Sequence, residues 1–248
     1  MACGTNAAAG GDASAAYGVN STASGTNSSA FGDGSNASGI QSAAYGLLSI
    51  ASGDISAAYG ARSTASGVES AAYGTFSTAS GNEGSAYGLF STASGVASSA
   101  YGDFSTASGA DSSAYGSNSQ ANAANSIAIG GNTSTGAGNA AFVDATSGNG
   151  IAIGNQSRIN ANSGNSAAVG FNNSVTGTGS GAFGTGQTVN GNGSFALGDP
   201  NTVNGHGSFV LGDGNTVNGP NVAGNGDNIN VVGSSNAVAG TASAAGSS

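Results

Sequence analysis

His206 is the single histidine of 248 residues. Serines and Asp199 lie near it in sequence. A serine nucleophile, a histidine base and an orienting carboxylate do chemistry only when they converge in a pocket. Here His206 falls in Asn204-Gly205-His206-Gly207, which reads as a turn, and the other turns have similar neighbours. No residue is therefore assigned a catalytic role, and the chain does not read as an enzyme. Metal binding fares no better. Asp33, Asp103, Asp199 and Asp213 each follow a glycine, and lone turn aspartates are expected to hydrogen-bond their own backbone. The calcium-binding nonapeptide G-G-x-G-x-D-x-U-x is absent. No metal ligands and no cofactor are expected. Cys3 has no second cysteine to pair with, so no disulfide forms within the chain.

Composition narrows the partners. Eleven acidic residues against Arg62 and Arg158 give a net charge of −9. Phosphate recognition needs clustered Lys and Arg, which excludes nucleic acid. No apolar run reaches membrane-spanning length and no signal peptide is present, so this segment is expected to make no membrane contact. Glycine, serine, alanine and asparagine dominate and large aliphatics are scarce. That composition suits either a disordered tract or a fibrous repeat, and the spacing of residues decides between them.

Glycine recurs at 18, 32, 46, 60, 74, 88, 102, 116 and 130, a period of fourteen. Alanine fills 16, 30, 44, 58, 72, 86, 100, 114 and 128 without exception. A second alanine column runs 23, 37, 51, 65, 79, 93, 107, 121, seven residues out of phase. Disorder has no reason to hold such a register; stacked units do. Each half-repeat, such as Ser70-Ala71-Ala72-Tyr73-Gly74 or Ser77-Thr78-Ala79-Ser80-Gly81, is too short for a helix with its connections and long enough for a strand and a turn. Strand alternation places Ser70, Ala72 and Gly74 on one face and Ala71 and Tyr73 on the other. The reading is an all-β parallel β-roll, one coil per fourteen residues. Its two small faces point inward, and glycine at each corner supplies a positive φ or a close backbone approach.

The outward faces then differ. One shows Thr and Ser. The other carries Tyr17, Phe31, Tyr45, Tyr59, Tyr73, Tyr87, Tyr101, Tyr115 and Ile129 in one column. Ile153, Val169, Phe183, Leu197 and Leu211 hold the equivalent place in later repeats. So long an apolar stripe is too large to leave wet. It is expected to meet other copies of the chain, most simply about a rotation axis. Composition leaves the number of copies open.

Asn125-Ser126-Ile127-Ala128-Ile129-Gly130 and Gly150-Ile151-Ala152-Ile153-Gly154 resemble the head repeat of trimeric autotransporter adhesins, the family that includes the Yersinia adhesin head. The chain departs by placing Tyr where Ile is usual over residues 17–115. The resemblance implies a left-handed parallel β-roll, a homotrimer and a bacterial cell-surface location, anchored through an outer-membrane domain that has no counterpart here. It also implies attachment to a host surface or an extracellular matrix protein.

The expected organisation is a cap or cloning remnant at 1–13, regular coils at 14–130, an irregular insert at 131–154, a second block at 155–240 and a tail at 241–248. The insert, read as a surface excursion, includes a distorted coil over Asn139-Ala140-Ala141-Phe142-Val143. The second block puts Val189, Val203 and Val217 where the first had alanine, and Phe195 and Phe209 beside the stripe. A wider roll is expected over 155–219, with Pro220 at a turn or edge. At one corner Phe76, Phe90 and Phe104 would form a ladder, which either tucks against a neighbouring subunit or serves as a candidate ligand ridge. The opposite corner carries Asp54, Glu69, Glu83 and Asp111 as a solvated edge. Two other functions compete with adhesion. One is a structural spacer without a ligand. The other is ice binding by the column Thr22, Thr64, Thr78, Thr92, Thr106, which is broken at Asn36 and Ile50.

Overall fold

The computed structural model describes residues 1–132, 140–218 and 227–239. The tail 241–248, Pro220 and Asn139 lie outside the described residues. The chain forms two compact units, Met1–Gln120 and Ala121–Ser248. Among the described residues the regular elements of both are parallel strands.

In the first unit each coil contributes two short strands, for example Ala71–Tyr73 and Thr78–Ala79. The first joins a tyrosine sheet, the second a threonine sheet. Each strand pairs in parallel with the strand fourteen residues on, as in Tyr73↔Tyr87 and Ala79↔Ala93. Residues 1–13 already supply such strands: Ala2–Cys3 pairs with Ala15–Tyr17, and Ala8–Ala9 with Thr22–Ala23. Alternation sorts the side chains as the pattern requires. Ala72 and Ala79 are wholly buried, as is every member of their columns from Ala16 to Ala114 and from Ala23 to Ala121.

The two glycine columns act differently. Gly74 and its equivalents have φ near +136°, and an added Cβ would lie 2.4 Å from the Gly88 carbonyl oxygen. Gly81 and its equivalents lack positive φ but approach more closely, with an added Cβ 1.9 Å from the Gly95 oxygen. The left-handed residue of each turn is not a glycine at all in most coils. It is the residue two places later, including Leu48, Arg62, Phe76, Phe90, Ile55 and Glu69, at φ of 54–58°. Left-handed backbone costs an L-residue about 1–2 kcal/mol. A coil-to-coil hydrogen bond offsets that cost: Phe76 N donates to Ala61 O at 3.0 Å, and Glu69 N to Asp54 O at 2.8 Å.

The second unit keeps the plan and enlarges the interior. Its tyrosine-sheet equivalents lengthen to five residues, as in Ala167–Phe171 and Phe195–Asp199. Ile159, Val175, Val189, Val203 and Val217 are wholly buried where the first unit has alanine. Residues 140–154 contain Phe142–Val143, in register with Arg158–Ile159, and Ile151–Ile153, in register with Ile127–Ile129. This part of the expected excursion therefore contributes to the sheets.

Serine is used differently in the two units. In the first, Ser77 Oγ donates to Gly74 O of its own turn at 2.8 Å, while the buried hydroxyls of Ser14, Ser28, Ser42, Ser56 and Ser70 have no partner. In the second, Ser194 Oγ donates forward to Gly205 O at 2.7 Å and accepts from Ser208 N at 3.0 Å. Beside it runs a buried amide ladder of Asn173, Gln187, Asn201 and Asn215. Asn201 Nδ2 donates to Gln187 Oε1 and Gly212 O at 3.1 and 2.7 Å, and its Oδ1 accepts from Asn215 N and Nδ2 at 3.0 and 2.9 Å.

Thermal melts of point variants should separate these roles. Ala79→Leu overfills a closed interior and should cost about 1–3 kcal/mol or more. Ser56→Ala removes an unpartnered hydroxyl and should change stability by less than about 0.5 kcal/mol. Asn201→Ala strands several buried groups at once and should cost roughly 3 kcal/mol or more.

Candidate functional site

The residues with catalytic or metal-binding chemistry are not brought together. Asp199 ends the strand Phe195–Asp199, and His206 lies in the turn after Thr202–Val203. His206 Nδ1 accepts from Asn192 N at 3.2 Å, and His206 N donates to Asp227 Oδ1 at 2.8 Å. Asp103 and Asp213 do not fold back on their own backbone as expected. Asp54, Asp103 and Asp213 each accept from a backbone N–H of the preceding coil, at Ile40 (2.8 Å), Leu89 (2.9 Å) and Asp199 (3.1 Å). Asn82 and Asn192 do the same toward Val68 and Thr178. The reason is geometric. The first turn residue after each glycine has an N–H with no ladder carbonyl to meet, and the nearest acceptor is the side chain stacked beyond it. Asp144 is the exception, accepting from Thr146 N and Oγ1 at 2.9 and 2.7 Å, which lowers its pKa. Among the described residues no group of three or more His, Cys, Asp or Glu could hold a metal ion, and no helix is long and apolar enough to cross a membrane.

What the fold does position is surface. In the first unit the sheet register aligns Cys3, Tyr17, Phe31, Tyr45, Tyr59, Tyr73, Tyr87, Tyr101 and Tyr115 in one column. The rings stack face to face at 4.7–5.0 Å, with interplanar angles between 2° and 13°. Stacking covers the ring faces and leaves the edges open; Tyr59 is 36% exposed and Tyr115 41%. In the second unit Ile129, Ile153, Val169, Phe183, Leu197 and Leu211 form the corresponding column. Phe195 and Phe209 stand beside it, both exposed, on the same outward face.

The corner ladder also forms. Phe76 and Phe90 stack at 4.7 Å, and Phe90 and Phe104 at 5.2 Å. The Arg62 guanidinium lies over Phe76 at 5.4 Å from the ring centre, within cation–π range. All three rings are exposed, as are Leu47, Leu48 and Leu89 beside them. The acidic residues Asp54, Glu69, Glu83 and Asp111 are exposed at the other corner. Sequence reasoning missed the left-handed turn column, although Asn20, Gly34 and Asn118 in it are residue types that tolerate this conformation.

Ionisation of three stripe tyrosines is suppressed. Tyr59, Tyr87 and Tyr101 have pKa values raised above 10.0 by partial burial and then by neighbouring phenols. The folded chain holds these protons where an unfolded chain has lost them. The associated stability is complete below pH 10 and disappears as pH rises through the raised values. Melts should therefore fall steeply above pH 10, and tyrosine absorbance should titrate above the ordinary value. Replacing Tyr59, Tyr87 and Tyr101 together by Phe should flatten that loss.

Similarity to known proteins follows the same residues. The family described as YadA head domain repeat (2 copies) matches residues 23–49, 44–70, 58–83, 86–112 and 107–133, together a little under half of the chain. Among solved structures, the collagen-binding domain of the Yersinia adhesin YadA is similar at 29% identity, covering 65% of this chain and 68% of that one, with a TM-score of 0.42. No curated protein matches. Residues 23–83 and 86–133 match the YadA head repeat, the repeat of trimeric autotransporter adhesin heads.

Proposed function

We propose that the chain is the head of a bacterial cell-surface trimeric autotransporter adhesin that attaches to host cells or extracellular matrix. One observation carries the reading: a roll whose interior is already filled by alanine presents an unbroken column of stacked aromatic rings with their edges open. Monomers rarely expose apolar patches of that extent. The head repeats supply the number of copies, three, and the stripe is then the axis about which they associate. Adhesion rests on what remains outside. Outward residues of the threonine sheet repeat at every coil, so each shallow contact is displayed many times, and avidity supplies the strength that no single contact has. Ice binding is disfavoured, because the threonine column is half-buried and interrupted at Asn36 and Ile50.

Light scattering on the purified chain should give three times 22.8 kDa, and a monomer would overturn the reading. Tyr73→Asp with Tyr87→Asp should dissociate the trimer, since carboxylates stacked along an axis are left unpaired. The trimer should also bind surfaces coated with collagen or other matrix proteins, with retention lost on dissociation. A stable trimer that binds no such surface and no host cell would leave the spacer reading in its place.

A further inference from the structure

The two edges of the first unit are unlike, and they differ in the same sense three times over. The edge that follows the tyrosine strands carries Leu48, Phe76, Phe90 and Phe104, with one cation, Arg62, and the two carboxylates Asp33 and Asp103. The edge that precedes them carries Ile40, Ile55, Val68 and Val96, all exposed, alternating with the carboxylates Asp54, Glu69, Glu83 and Asp111. The outward face between them is polarised too. Its Tyr/Phe column borders the first edge. A column of alanine and serine, such as Ala57, Ala71 and Ser85, borders the second. Large residues thus lie beside the aromatic edge that holds Arg62, and small ones beside the edge richer in carboxylates.

We propose that the aromatic edge is an intersubunit seam: each copy's Leu/Phe/Arg62 edge packs on the Ile/Val/acidic edge of the next copy around the ring. This rests on the reading of the stripe as a threefold axis and adds a contact that the axis alone does not specify. A head-to-tail contact that closes on itself suits three copies, whereas like edges meeting suits two. Unlike edges let one copy's tyrosines lie over the next copy's alanines and serines, filling the axis without clash or void. Like edges would leave tyrosine against tyrosine and small residues against nothing. Charge agrees. Among the described residues Arg62 has the Phe76 ring as its electrostatic partner and no carboxylate. Rotation without axial shift sets it between Asp54 and Glu69 of the next copy, each half of the ~4.8 Å coil spacing away. The same arrangement covers the phenylalanine ladder, so the ridge is not the ligand site.

The test uses the full chain in a Cys3→Ser background. Arg62→Cys with Glu69→Cys is treated with a short bis-maleimide, and Phe104→Cys with Asp111→Cys serves as a second pair at another height. A covalent species at three times 22.8 kDa on a denaturing gel is expected from either pair, because every copy then carries one reactive group on each edge. Arg62→Cys alone should give no cross-link; a covalent dimer from it would show like edges meeting and overturn the proposal. Light scattering separates the two levels. A trimer that neither pair cross-links overturns the seam and leaves the axis standing, and a monomer overturns both.

Discussion

Coil-to-coil separation is the constraint on which everything else depends. Strands that pair in parallel with the strand one coil on sit about 4.8 Å apart, and the turns must close at that same spacing. At Gly81 an added methyl would lie 1.9 Å from the next coil's carbonyl oxygen, and at Gly74 2.4 Å. No side chain fits there, so every coil from Gly4 to Gly109 carries two glycines. In the first unit the interior is as narrow, its two short strands facing each other with space for methyl groups and hydroxyls. Large side chains have only the outward faces and the turns to occupy. The tyrosine stripe and the phenylalanine edge are therefore consequences of the narrow interior.

A methyl-lined interior contributes little burial per coil, since each buried carbon is worth about 0.8 kcal/mol. The first unit compensates with ladders that run the length of the stack: backbone pairs, aromatic stacks, and side-chain acceptors such as Asp54 and Asp103 that satisfy the preceding coil's turn. The second unit solves the problem from within. Its larger interior admits valine and isoleucine on one sheet and amides in place of serine, and the amides of Asn201 and Asn215 each bond the coil before and the coil after. Between them the units show two ways of coupling coils, one by surface stacking and one by a buried polar chain.

Much of this was legible in the sequence, and the reason is periodicity. A strict period of fourteen fixes the register, the register fixes which residues align, and alternation fixes which face they share. Tyr73 above Tyr87 and Ala79 above Ala93 follow without any knowledge of energies. The residues that were misread are those whose partners lie one coil away. Asp103 was expected to bond its own turn, because isolated aspartates usually do; in a stack, the nearest free N–H belongs to Leu89 of the coil before. The Asn173–Gln187–Asn201 ladder escaped notice because asparagine in a glycine-rich chain looks like turn composition until the interior is known to be wide enough for an amide. The left-handed turn column was hidden by its variety. Phe76, Arg62 and Glu69 do not advertise positive φ, and only the hydrogen bond from the neighbouring coil makes them adopt it.

That variety points to where function can change. The left-handed turn position accepts Leu48, Ile55, Arg62, Glu69, Phe76 and Ala97 on one backbone, because its conformation is set by main-chain ladders and not by the side chain it carries. In the first unit the buried alanine columns and the close-packed glycines have no such freedom. A seam assembled from such turns can alter its chemistry coil by coil while the frame stays fixed. The face that assembled copies leave outward, that of the threonine sheet, repeats at a fixed spacing along the unit and again in each copy around the axis. Weak contacts so arrayed act together, and its residues can change without touching the core.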